Sequence, residues 1–84
     1  MLWGDEMYPR IRHLREDKDL SQTKVAQQLG MSQTGYSKYE TGENDVPTSI
    51  LIQLAHFHST SIDYLLGLTD VKDPYPKGKP VDKI

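Results

Sequence analysis

Residues 22–41, QTKVAQQLGMSQTGYSKYET, contain two short helical patterns separated by one glycine, Gly30. Helical spacing gives each segment one apolar stripe. The stripe residues are Val25, Ala26 and Leu29 in the first segment and Tyr36 and Tyr39 in the second. Gly30 tolerates the left-handed conformation that ends a helix and turns the chain. Ser21 and Ser32 are favoured N-cap residues. The pattern therefore predicts a helix-turn-helix, with helix 2 over 21–29 and helix 3 over 33–41.

The predicted third helix has a polar side opposite its tyrosines. At about 100° per residue, five polar residues fall within roughly 140° of one another. These residues are Gln33, Thr34, Ser37, Lys38 and Thr41. Amide and hydroxyl groups of this kind can hydrogen-bond to base edges. The alternative is an ordinary helical hairpin that binds nothing. A small residue at 26 together with glycine at 30 seldom occurs by chance, which favours a nucleic-acid-binding origin for the motif.

Three further helices complete an all-α prediction. Helix 1 runs from Pro9 to about Lys18, helix 4 from about Thr48 to His58, and helix 5 over 62–66. Ser61 is the expected N-cap of helix 5. The turn-forming segment 42–47, GENDVP, separates helices 3 and 4. Apolar residues expected in the core of helices 1 and 4 are Ile11, Leu14, Ile50, Leu51, Leu54 and Ala55.

A chain of 84 residues accommodates one small domain. We predict a folded domain over 8–69, a flexible N-terminal arm over 1–7 and a flexible C-terminal tail over 70–84. The tail contains three prolines and few residues that could be buried. Trp3 in the arm is either exposed or a lid on the core.

The charge balance is unusual for a nucleic-acid-binding domain. Ten basic residues against twelve acidic residues give a net charge of -2, so the usual basic footprint is missing. Helix 1 nevertheless concentrates four basic residues, Arg10, Arg12, Arg15 and Lys18. Attraction to phosphate depends on charge placement within a Debye length of about 8 to 10 Å. We therefore expect modest non-specific affinity.

Other kinds of chemistry find little support in the sequence. There is no cysteine, no apolar run approaching the roughly 18 residues of a membrane span, and no signal peptide, so we expect a soluble, cytoplasmic chain without a membrane partner. His56 and His58 lack the spacing of a metal-binding pair on a helix. No nucleophile elbow or glycine-rich phosphate loop is present. We expect no enzymatic activity, no metal, no cofactor and no small-molecule substrate.

The motif SQTKVAQQLGMSQTGYSKYETGENDVP, followed by LIQLAHFHSTSIDYLLGLTD, resembles the Cro/repressor-type helix-turn-helix regulators of the XRE family. The resemblance covers about residues 7–70. It implies a compact five-helix, lambda-repressor-like domain that inserts helix 3 in the major groove of double-stranded DNA. It also implies a homodimer on a palindromic operator and a role in transcription regulation, which we expect to be repression.

The resemblance also implies roles for individual residues. The positions that match base-contacting residues are Gln33, Thr34, Ser37 and Lys38, and Gln33 has an amide suited to adenine. The positions that match phosphate-contacting residues are Gln22, Thr23, Thr41 and Asn44, and Gln22 is also expected to steady Gln33. Arg15 and Glu40 match a structural ion pair between helix 1 and the end of helix 3.

Several positions depart from the family pattern. Gly35 lies within helix 3, where we interpret it as allowing the backbone to approach DNA closely. Glu43 and Asp45 bring negative charge to a loop that holds cations in some relatives. His58, at a position that is usually apolar, is expected to be partly exposed. The acidic balance leaves an alternative open, a helix-turn-helix module that binds a protein such as a toxin or a polymerase subunit.

Dimerisation is expected to use helix 5, the segment 63–70 or the tail. The leucines at 65, 66 and 68 are more apolar than a short helix needs for its own packing.

Overall fold

A computed structural model of the chain describes residues 7–76, which form five α-helices and no β-strand. The helices are α1 Pro9–Asp17, α2 Gln22–Gln28, α3 Gln33–Thr41, α4 Thr48–Phe57 and α5 Ile62–Leu65. The prediction of an all-α, five-helix domain is confirmed, and the helix ends agree with the predicted ends within one residue. Trp3 and most of the predicted arm lie outside the described residues, as does the tail beyond residue 76.

Serine side chains begin three of the helices. The Oγ atoms of Ser21, Ser32 and Ser61 accept hydrogen bonds from the backbone N–H of Lys24, Gly35 and Tyr64, at 3.0, 3.1 and 3.0 Å. Each bond satisfies an N–H group that has no partner within its own helix. Gly42, with φ of 84°, ends α3 in the left-handed conformation. These local signals fix where the two helices of the motif begin and where α3 ends.

The core is a single apolar cluster to which every helix contributes. Its members are Ile11, Leu14, Val25, Ala26, Leu29, Tyr36, Val46, Leu54, Ala55 and Leu65. Helix α2 packs on α3, α4 packs on α5, and α1 contacts both α3 and α5. The α2–α3 pair is thereby held against the rest of the domain. Within residues 7–76, no helix combines the length and the apolar character that crossing a bilayer requires.

Two expectations about burial are wrong. His58, expected to be partly exposed, is only 3% exposed, because α4 ends just before it and Ser59, with φ of 52°, turns the chain there. The imidazole packs edge-on against the Phe57 ring at a centroid distance of 4.9 Å. Leu65, expected in a dimer surface, is fully buried in the core, whereas Leu68 is 71% exposed.

Residues 70–76 are non-helical and lie against the helical domain. Side-chain bonds join this segment to the helices at three points, Arg10 with Asp70, Thr60 Oγ1 with the carbonyl of Lys72, and the Tyr75 hydroxyl with the Asp63 carboxylate. The Arg10 guanidinium also donates to the carbonyl of Tyr64 at 2.9 Å and lies 4.0 Å from the centre of its ring. The division into arm, domain and tail stays a prediction.

Candidate nucleic-acid interface

The turn between α2 and α3 sets the direction of the third helix. The backbone N–H of Met31 donates to the carbonyl of Ala26 at 3.0 Å, and Gly30 adopts a φ of 69°. Tyr36 is fully buried and Tyr39 is half-buried against the core. Because α3 is fixed to the core along its tyrosine side, its opposite side faces solvent.

The solvent-facing side of α3 carries the five polar residues of the predicted face. Gln33, Thr34 and Thr41 are exposed, and Ser37 and Lys38 are half-buried. The Ser37 hydroxyl donates to the carbonyl of Thr34 at 2.9 Å, and the Thr41 hydroxyl donates to the carbonyl of Lys38 at 3.3 Å. The Thr41 hydroxyl oxygen also accepts from the backbone N–H of Glu43 at 3.3 Å. Each hydroxyl oxygen therefore keeps at least one lone pair that can accept a further hydrogen bond. The face therefore combines an amide, hydroxyl groups and one ammonium group.

Gln22, at the start of α2, lies beside Gln33, at the start of α3. The Gln33 Nε2 donates to Gln22 Oε1 at 2.5 Å, and the Gln22 Nε2 donates to Glu40 Oε1 at 3.0 Å. Gln33 itself stays exposed, whereas Gln22 is half-buried. The contact between Gln22 and Glu40 does not follow from the sequence, because the two residues lie 18 positions apart and no periodic pattern links them.

Arg15 and Glu40 form a bidentate ion pair between α1 and the end of α3. Arg15 Nε and Nη2 donate to the two carboxylate oxygens of Glu40 at 2.6 and 3.0 Å. Arg15 Nη1 also donates to the carbonyl of Leu20 at 2.8 Å. The side chains are 14% and 3% exposed. Such a planar two-point contact holds α3 in one orientation relative to α1.

The electrostatics of this pair favour its charged form. Burial raises the pKa of the Glu40 carboxyl, but its interactions with Arg15, the Tyr36 hydroxyl and Gln22 together outweigh burial and hold that pKa below its ordinary value of 4.5. The hydrogen bond to Glu40 raises the pKa of Arg15. Glu40 is therefore a carboxylate at neutral pH, and it can only accept hydrogen bonds.

Three of the four residues matched to phosphate contacts are exposed and one is half-buried. Thr23, Thr41 and Asn44 are exposed, and Gln22 begins α2. The Thr41 hydroxyl also lies 3.4 Å from a carboxylate oxygen of Glu43. That negative charge would oppose a phosphate that approached Thr41.

Gly35 and two basic residues of α1 have close neighbours within the domain. A Cβ atom on Gly35 would lie 3.1 Å from Met31 Cε and 3.2 Å from Ser32 Oγ, so the space that glycine leaves is toward the turn. Two of the basic residues predicted for helix 1 pair with carboxylates, Arg10 with Asp70 and Arg15 with Glu40. The positive charge available on α3 itself is that of Lys38.

The chain belongs to the helix-turn-helix family, whose profile matches residues 11–65. That range includes all of α2 and α3 and every residue of the apolar core cluster.

Relatives with curated descriptions are named as regulators of transcription. The chain is similar to the uncharacterised HTH-type transcriptional regulator YobD of Bacillus subtilis, with 37% identity over 77% of this chain and 58% of YobD. It is also similar to the cryptic phage CTXphi transcriptional repressor RstR of Vibrio cholerae, with 34% identity over 69% of this chain and 52% of RstR. A third relative is the HTH-type transcriptional activator BcrR of Enterococcus faecalis, with 36% identity over 74% of this chain and 30% of BcrR. The chain spans about half the length of the first two relatives.

Proposed function

We propose that this chain is a sequence-specific, DNA-binding regulator of transcription that acts in the cytoplasm and represses by occupying promoter DNA. The observation that carries the proposal is the orientation of α3, whose tyrosine side is buried while its amide and hydroxyl side faces solvent. A helix presented in this way fits the major groove of B-DNA. The names of the relatives YobD and RstR support a role in transcription, and that of RstR supports repression.

Four residues of α3 are proposed to read the bases. Gln33 bonds to adenine through its amide, and Thr34 offers a hydroxyl and a methyl group, the latter to thymine. Ser37 accepts from or donates to base edges, and Lys38 bonds to guanine or to a phosphate. The residues proposed to bind phosphates are Gln22, Thr23, Thr41 and Asn44.

Selection of bound sequences from random duplexes tests the proposal, followed by mobility shift on the selected duplex across a salt series. We expect one preferred sequence with two-fold symmetry, and an affinity that falls as salt rises because bound phosphates release counterions. Placing the selected sequence in a reporter promoter should lower transcription when the protein is present. Recovery of no preferred sequence would contradict the proposal.

Replacing Gln33 should relax base preference at one position in each half-site. Gln33→Ala removes a bidentate contact, so we expect it to lose about 1 to 3 kcal/mol of discrimination at that base pair. Mobility shifts on single-base variants of the selected duplex measure the effect. Gln53→Ala, an exposed glutamine on α4, serves as the matched control and should retain the parent's preference. Equal discrimination by Gln33→Ala and the parent would remove Gln33 from the reading residues.

We propose a homodimer that uses the exposed apolar residues following α5. Leu68 is 71% exposed and Val71 is 63% exposed, and both lie beyond the buried Leu65. Leu68→Asp should shift the protein from dimer to monomer in sedimentation and weaken binding to the palindrome, because it charges the apolar contact. Ile52→Asp, on exposed α4 surface, is the control and should leave sedimentation unchanged. A parent protein that sediments only as a monomer, with and without duplex, would contradict the dimer.

A further inference from the structure

Four side chains from three helices form one unbroken chain of hydrogen bonds that ends at the base-reading face. Arg15 of α1 bonds to Glu40 of α3, Glu40 accepts from Gln22 of α2, and Gln22 accepts from Gln33 at the start of α3. This series of hydrogen bonds begins at the nearly buried Arg15–Glu40 ion pair and ends at the exposed amide of Gln33. We call these four residues the amide relay.

The chemistry of Glu40 fixes the direction of every bond in the amide relay. An ionised carboxylate can only accept hydrogen bonds, so the Gln22 group that faces it must be the NH2 group. The carbonyl oxygen of Gln22 must then face Gln33, and Gln33 must direct its own NH2 group toward Gln22. The orientation of the Gln33 amide therefore follows from the charge of Glu40.

Reversing the Gln22 amide is strongly opposed at this site. Its carbonyl oxygen would then lie about where its nitrogen lies, 3.0 Å from the Glu40 carboxylate, and two oxygen atoms with negative charge would face each other. Glu40 has little freedom to move away, because it is 3% exposed and both of its oxygens bond to Arg15.

A fixed Gln33 amide has one N–H and its carbonyl oxygen left for DNA. Adenine presents an acceptor at N7 and a donor at N6, which match this pair. Guanine presents acceptors at both N7 and O6, so the fixed Gln33 carbonyl oxygen would face the guanine O6. An amide that rotates freely could instead turn its NH2 group toward both guanine atoms.

We propose that Glu40, acting through Gln22, sets the preference of Gln33 for adenine over guanine. The inference rests on the proposed DNA-binding function and deepens it. Glu40 and Gln22 are positioning residues in this account, since the contact to the base is made by Gln33. Their removal should weaken the preference for adenine over guanine, and that effect can be separated from a general loss of affinity for DNA.

Gln22→Leu provides the main test, because leucine keeps much of the side-chain volume and forms no hydrogen bond. The base pair to be tested is the one whose preference Gln33→Ala relaxes in the selected duplex. We expect the parent to prefer adenine over guanine there by about 5- to 150-fold. In Gln22→Leu this ratio should fall below about 3-fold. Loss of a phosphate contact by Gln22 weakens both duplexes alike and leaves the ratio unchanged.

Two controls separate the amide relay from other effects. Thr23→Ala, at the neighbouring proposed phosphate contact, should weaken both duplexes and keep the parent's ratio. Gln22→Leu/Gln33→Ala should show the same ratio as Gln33→Ala alone, because Gln22 acts only through Gln33. A further reduction of the ratio in the double variant would overturn the proposal.

Arg15→Met/Glu40→Met tests the role of Glu40 itself while avoiding an unpaired buried charge. Thermal unfolding monitors its fold, and its adenine-to-guanine ratio should also fall below about 3-fold. A parent-like ratio in either Gln22→Leu or the methionine variant overturns the inference, while relaxation by Gln33→Ala keeps the proposed function intact. If Gln33→Ala relaxes no base pair, the assignment of Gln33 and the inference both fail.

Discussion

Glu40→Ala should lower the free energy of unfolding by about 3 to 5 kcal/mol. The substitution leaves the Arg15 guanidinium, 14% exposed, without the carboxylate that accepts two of its hydrogen bonds. It also removes the acceptor of the Gln22 amide. Small domains have total stabilities of roughly 5 to 15 kcal/mol, so much of the stability would be lost. Chemical denaturation followed by circular dichroism measures the change.

Glu16→Ala is the matched control, since it is the same substitution in a helical ion pair at the surface. Glu16 lies 3.7 Å from Arg12, and the side chains are 54% and 39% exposed. An exposed pair of this kind contributes about 1 kcal/mol or less. Arg15→Met/Glu40→Met should recover most of the stability lost in Glu40→Ala, because no charge is left unpaired. Equal losses in Glu40→Ala and Glu16→Ala would contradict a stabilising role for the buried pair.

Acidification from pH 6.5 to pH 4 should destabilise the domain by about 3 kcal/mol through His58 alone. Burial, assisted by the positive charges of Lys18 and Lys72, lowers the pKa of His58 from 6.5 to about 4. Neither ring nitrogen has a hydrogen-bond partner within the described residues. The unfolded chain therefore binds a proton in this pH range that the folded chain does not. The contribution of His58 to the free energy of unfolding is therefore present above about pH 6.5 and is lost as the pH falls toward 4.

His58→Leu isolates this contribution, because leucine fills the buried position and does not titrate. The free energy of unfolding, measured by denaturant titration at several pH values, should decline less steeply from pH 6.5 to 4 in this variant than in the parent. His56→Gln, at an exposed position on α4, should follow the parent profile. The pKa of Glu40 is also lowered by folding, so all three proteins lose further stability as the pH falls below 4.5, the ordinary pKa of a glutamate. Parallel profiles for His58→Leu and the parent would contradict the account.

Features of the fold that depend on neighbouring residues follow from the sequence. Ser21 and Ser32 predict the starts of α2 and α3 because an N-cap bond spans three residues, and Gly30 predicts the turn through its own backbone freedom. The burial of Tyr36 follows from helical spacing. Local residue patterns were sufficient in these places because each feature depends on residues within one helix or one turn.

Features that depend on helices meeting in space do not follow from periodicity. The Arg15–Glu40 pair was expected only from the family resemblance, and the bond from Gln22 to Glu40 was not expected at all. His58 is buried next to a turn at Ser59, which adopts the left-handed conformation, and no glycine marks that turn in the sequence. Arg10 contacts Asp70 across 60 residues of sequence. Each of these contacts is set by the crossing of separate segments.

The central claim is that the polar side of α3 lies in the major groove of bound DNA. Intermolecular nuclear Overhauser effects between the protein and the selected duplex test it most directly. We predict contacts from the Thr34 methyl and the Gln33 side-chain amide to thymine methyl groups and other major-groove protons, with none from α4. Contacts confined to α4, α5 or residues 68–76, with the α3 side chains unaffected by the duplex, would contradict the claim.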